Sequence, residues 1–143
     1  YEDALLFVEA AFNQESDGND QWTKESDKII QQKQVTYEIL PDGTWKDETA
    51  SAWFGKKIRI SLSVPNGLKG FVYLFVHDWN GLHRDGSIKI ENRNFSIGKH
   101  ENGKWIRLDF MREDTQDGEI IIELDCSKGP NLMVTKLALI QRN

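Results

Sequence analysis

Asp78, Trp79, Asn80 and Arg84 fall in one short stretch of the chain, and their side chains are the parts a sugar-binding site needs. An indole offers a flat face to the C–H groups of a sugar ring, and carboxylate, amide and guanidinium groups bond its hydroxyls, often two at a time. The same residues permit a second arrangement. Asp78 and Arg84 can form an ion pair that closes their own loop, with Trp79 plugging the end of the fold, and isolated ion pairs and aromatics are more often structural. Trp22 and Trp45, set among polar residues, extend the candidate ligand-binding group to Asp78, Trp79, Asn80, Arg84, Trp45 and Trp22. Trp53 and Trp105 are further candidates for an exposed platform, Trp105 because it falls on the polar parity of its strand. Each alone can equally be packing, whereas two side by side would mark a binding patch.

Other chemistry is thinly represented. Asp17, Asn19, Asp20 and Asp27 could offer oxygen ligands to a structural calcium ion, although Gly18 comes too early for an EF-hand loop, and a solvated acidic loop accounts for them as well. Glycoside hydrolysis requires two carboxylates about 5 to 10 Å apart, one with a raised pKa. Acidic residues are plentiful, but they lie in turns or on wet strand faces. His77, His83 and His100 lack metal-ligand spacing, and His77, on an apolar strand, reads as a satisfied core histidine. No glycine-framed nucleophilic serine occurs, and the single cysteine, Cys126, reads as a buried thiol.

Composition narrows the class. The chain has 143 residues, enough for one domain with one core. A net charge of −5 with dispersed basic residues argues against a nucleic-acid surface. Nowhere is there the run of about 20 apolar residues that a membrane span requires. One cysteine excludes an intrachain disulfide. The chain starts at Tyr1 with no positively charged leader, which suggests a mature or excised piece.

The elements that must position the loop are strands. Ala4 to Phe12 is a compact apolar run read as a strand, and residues 13 to 28 as a polar surface loop carrying Trp22. Val35, Tyr37 and Ile39 share one face, and Pro41-Asp42-Gly43 predicts a hairpin that returns through Trp45. Ile58, Ile60, Leu62 and Val64 alternate with polar residues, whereas Phe71 to Val76 is apolar on both faces. Four later stretches behave the same way: Ile88-Ile90, Phe95-Ile97, Ile106 to Phe110 and Ile120 to Leu124. Leu132 to Ile140 closes the chain. About eight or nine short antiparallel strands, divided by Gly, Pro, Asn and Asp turns and without a long helix, predict an all-β sandwich or jelly roll.

With these strands in place, a longer pattern emerges: Phe71-Val72-Tyr73-Leu74-Phe75-Val76-His77-Asp78-Trp79, then Arg84, then Ser87-Ile88-Lys89-Ile90. It continues through Gly103-Lys104-Trp105-Ile106-Arg107-Leu108, Asp117-Gly118-Glu119-Ile120, Gly129-Pro130-Asn131 and Leu137-Ala138-Leu139-Ile140. This resembles the accessory β-sandwich modules of bacterial polysaccharide-degrading enzymes. It covers residues 53–143, while residues 1–52 have an uncertain strand assignment. The resemblance implies a galactose-binding-like jelly roll, a glycan or polysaccharide partner, and a glycoside hydrolase catalytic domain in the same polypeptide. It also implies a secreted, periplasmic or cell-surface setting in a bacterium. Two other readings stand beside this non-catalytic one: a structural or protein-interaction sandwich that binds no sugar, and a small glycoside hydrolase.

Overall fold

The computed structural model describes residues 4–10, 14–15, 35–46 and 50–142. Their strands build two antiparallel sheets packed face to face, a β-sandwich. In chain order the strands are β1 (Ala4–Glu9), β2 (Gln14–Glu15), β3 (Thr36–Leu40), β4 (Gly43–Lys46), β5 (Ser51–Gly55) and β6 (Lys57–Ser63). They are followed by β7 (Gly70–Val76), β8 (Asp85–Ile90), β9 (Arg93–Ser96), β10 (Lys104–Phe110), β11 (Glu119–Lys128) and β12 (Leu132–Gln141). The count exceeds the expected eight or nine because short segments such as Gln14–Glu15 and Ser51–Gly55 pair with longer neighbours.

One sheet runs β3-β6-β11-β8-β9. Its inner face follows from period-two patterning: Ile58, Ile60 and Leu62 of β6 lie opposite Leu124, Ile122 and Ile120 of β11, all of them buried. Branched aliphatics suit such a pleated, half-buried surface. The other sheet runs β10-β7-β12-β1-β2, with β5 also paired to β12 and β4 to β5. Here Val72, Leu74 and Val76 of β7 face the core, in register with Leu139, Leu137 and Val134 of β12.

β7 is apolar on both faces for two separate reasons. Its inner residues enter the main core, while Phe71 and Tyr73 point outward and pack on a second, smaller cluster of Phe7, Ala138 and Ile140. Trp105 joins that outer face, half-buried, meeting Phe75 edge-on at 5.1 Å and Tyr73 at 6.3 Å. The polar-parity position of Trp105 therefore carries an aromatic lane, not a wet surface.

The hairpin expected across Pro41-Asp42-Gly43 does not form. β3 pairs with β6 in one sheet, whereas β4 pairs with β5 in the other, so the turn is a corner between sheets. Asp42 holds the corner: its N–H donates to the Phe54 carbonyl at 2.8 Å, and its carboxylate accepts from the Lys56 N–H at 3.0 Å. Once β3 and β4 separate, Trp45 is carried to the end of the sandwich where the β7–β8 loop lies.

Trp53 takes the packing alternative. It is 1% exposed and belongs to the main core instead of an exposed platform. Replacing Trp53 with alanine leaves a large cavity, and we expect a loss of about 3–5 kcal/mol, read from urea unfolding midpoints.

Candidate functional site

β7 ends at Val76, and the chain then passes His77, Asp78 and a short 3-10 turn at Trp79–Gly81 before β8 begins. Three of these loop residues take left-handed backbone: Asn80 at φ 67°, Gly81 at φ 56° and His83 at φ 59°. Such conformations are costly for residues other than glycine and persist where surrounding contacts over-determine them.

Arg84 supplies those contacts. Its side chain is 7% exposed, and its guanidinium donates from Nη1 to the Asp78 carboxylate at 3.0 Å and to the Trp79 carbonyl at 2.8 Å. Nε donates to the Asn131 side-chain oxygen at 3.2 Å, which ties the loop to the turn between β11 and β12. Nη2 has no hydrogen-bond partner among the described residues. Gly129, at φ 83°, lets that turn come close, since a Cβ there would sit 3.1 Å from the Arg84 Cα. The base of the loop is held by the Asp78 N–H donating to the His100 carbonyl at 2.9 Å.

Asp78 is 2% exposed and its carboxylate is committed to Arg84. The two sequence alternatives thus coexist in the same loop: the ion pair is architecture, yet Trp79 is not buried. It is half-buried, and its indole lies against Trp45 with ring centroids 5.2 Å apart and planes tilted by 47°. A groove of about 410 Å³ runs beside these two rings, bordered also by Phe54, Asn80, Arg84 and Asn131. Four of the six expected ligand-binding residues, Trp45, Trp79, Asn80 and Arg84, are brought together there. Asp78 stays behind the groove, and Trp22 lies outside the described residues, as do Asp17, Asn19, Asp20 and Asp27. Among the described residues no cluster of three or more His, Cys, Asp or Glu side chains is placed to hold a metal ion.

Sequence reasoning missed Phe54, Asn131 and Met133, which line the groove, and His77, which supports it. His77 is not a core histidine: it lies half-buried on the outer face of β7, with its ring flat on Trp79 at 4.3 Å and 25°. Period two from Phe71 through Phe75 to His77 was the available signal, because it places His77 on the outer face. Burial lowers the His77 pKa from its ordinary 6.5, with the nearby His100 adding to the effect; the Glu101 backbone works against it. Cys126 is likewise half-buried, its Sγ 3.2 Å from the Lys128 carbonyl.

No family model matches the chain, and no curated protein sequence does. Among solved structures it is similar to the native family 35 carbohydrate-binding module from Clostridium thermocellum, with 14% identity and a TM-score of 0.40. That alignment covers 73% of this chain and 87% of the module. It is also similar to TmCBM61 in complex with β-1,4-galactotriose, at 11% identity and a TM-score of 0.41, covering 74% of this chain and 88% of that one.

Two outcomes test this geometry. Replacing Arg84 with methionine strands the buried Asp78 carboxylate, and we expect a loss of about 3–5 kcal/mol in chemical denaturation, largely recovered when Asp78→Asn is added. For His77, a lowered folded-state pKa means that the unfolded chain binds more protons below about pH 6.5. Its stability contribution is therefore intact above that pH and declines as pH falls toward the folded-state value. Unfolding midpoints at pH 7.5 and 5.0 should differ more for the wild type than for His77→Gln.

Proposed function

We propose that this chain is a non-catalytic carbohydrate-binding module that serves a secreted or cell-surface polysaccharide-degrading enzyme in the same polypeptide. The observation that carries this reading is the Trp45–Trp79 pair standing over a groove whose floor also presents Arg84, Asn80 and Asn131. An aromatic wall with a few convergent polar groups is the general form of a small-ligand site. The indole faces cover the C–H side of a sugar ring. Asn80 and the Asn131 amide donate to and accept from hydroxyls, and the unshared Nη2 of Arg84 adds a charged donor.

The left-handed backbone at Asn80 and the buried Arg84 clamp support binding by a preformed surface, which spares the ordering cost of a mobile loop. The non-catalytic reading draws on the groove's lining, in which no carboxylate stands among the described residues. Hydrolysis of a glycosidic bond needs two, and Asp78, beside Trp79 in sequence, is bound to Arg84. A module of this kind works by effective concentration, keeping a linked catalytic domain near its polymer.

Titration calorimetry of the whole chain against a panel of plant and host oligosaccharides tests the proposal. We expect one class to bind, and Trp79→Ala and Trp45→Ala each to weaken it about tenfold or more, since aromatic anchors dominate such interfaces. Silence across the panel from a folded protein would overturn it. The reading as an interaction module that binds no sugar would then stand.

A further inference from the structure

A second groove, of about 430 Å³, lies on the outer face of the β7 sheet and shares Trp79 and Ala50 with the first. Phe75 and His77 form its floor, and Glu9, Ser51, Thr135 and Lys136 stand along its sides, Glu9 directly across from Lys136 in the β1–β12 pairing. Its position follows from the strand pairing. β12 is flanked by β7 on one side, while on the other its neighbour changes from β5 at Leu132–Val134 to β1 at Lys136–Ile140. At the changeover a bulge around Thr135 interrupts the register with β7.

Backbone groups hold this gap in shape. The Ala10 N–H donates to the Thr135 carbonyl at 2.9 Å, and the Ser51 hydroxyl donates to the Ala10 carbonyl at 3.0 Å. The aromatic floor is equally constrained. Trp105 buttresses Phe75 edge-on at 5.1 Å, and the Lys136 ammonium stands 5.7 Å from the Phe75 ring centre. Gly103, at φ 81°, gives way to the same ring, because a Cβ there would strike it. Between the two grooves, His77 and Trp79 form a stacked pair.

We propose that the two grooves form one track, so that the protein holds an internal run of several sugar units of a single glycan chain, draped across Trp79, and not a chain end. This rests on the carbohydrate reading above. Among the described residues neither groove is enclosed, and they meet at the residue that anchors the first. Their linings also suit consecutive units. Each offers an aromatic ring, Trp45 in the first and Phe75 in the second, and each offers polar groups for hydroxyls: Arg84, Asn80 and Asn131 in the first, and Ser51, Lys136 and the Glu9 carboxylate in the second.

The test is calorimetry of the whole chain with β-1,4-linked gluco-, xylo- and galacto-oligosaccharides of two to six units. Wild type, Phe75→Ala, Lys136→Ala and Trp79→Ala are compared. For the series that binds, we expect wild-type affinity to rise about tenfold between three and five units. Phe75→Ala and Lys136→Ala should each remove that rise and leave affinity for the shortest binding oligomer within about twofold, while Trp79→Ala weakens every length. Near-UV circular dichroism checks the fold, and Lys136→Ala, at a partly exposed position, carries the test if Phe75→Ala is destabilised. Affinity that levels off at two or three units, or a rise that both variants keep, overturns the track and leaves the first groove as the whole site. Absence of binding at every length in the wild type overturns the track for β-1,4-linked chains, and silence of the wider oligosaccharide panel as well overturns the carbohydrate reading with it.

Discussion

A guanidinium that is almost wholly buried must find acceptors, and the end of this sandwich is arranged around that requirement. Arg84 takes the Asp78 carboxylate and the Trp79 carbonyl at Nη1 and the Asn131 side-chain oxygen at Nε. Because taking such a charge out of water costs several kcal/mol, these partners cannot be surrendered singly. The gain from the pair is therefore less in net stability than in definition. It allows one path for the loop from His77 to Arg84, sets the left-handed residues along it, and pulls in the β11–β12 turn through Asn131 and Gly129. Trp79 faces its groove as a consequence of where its own carbonyl is held.

The second constraint is the two-sided character of β7. Its inner residues are core, and its outer residues form a lane that runs from Phe71 through Tyr73 and Phe75 to His77 and Trp79. Along that lane the environment changes. Near Phe71 the rings pack on a buried cluster beneath the Arg107 guanidinium, which lies 3.8 Å from the Phe71 ring centre. Toward Trp79 the bulge at Thr135 opens the surface, and the same kind of side chain lines a groove. Exposure is thus a property of position along the strand and not of residue type. Trp53, Trp105, Trp45 and Trp79 show the range, from core to lane to groove wall.

Much of this was legible in the residues themselves. Alternation of aliphatic and polar residues in β6, β8, β10 and β11, with turn residues between them, determined antiparallel strands and hence a sandwich, because period two leaves only one face to bury. The Asp78-to-Arg84 stretch also identified itself, since a carboxylate, an indole, an amide and a guanidinium rarely cluster in an ordinary turn. What the residues could not decide was partnership. The turn at Pro41-Asp42-Gly43 has the chemistry of a hairpin, yet each flanking strand buries its face better in a different sheet. That choice brought Trp45 to Trp79. The Asp78–Arg84 ion pair was among the arrangements the residues offered, but linear spacing could not show which tryptophan would be core, or that Asn131, 47 residues beyond Arg84, would share its charge. Local sequence determines which face a side chain takes, because the backbone period is local. Which faces meet is set by burial and charge pairing between distant segments, and only the tertiary structure settles that.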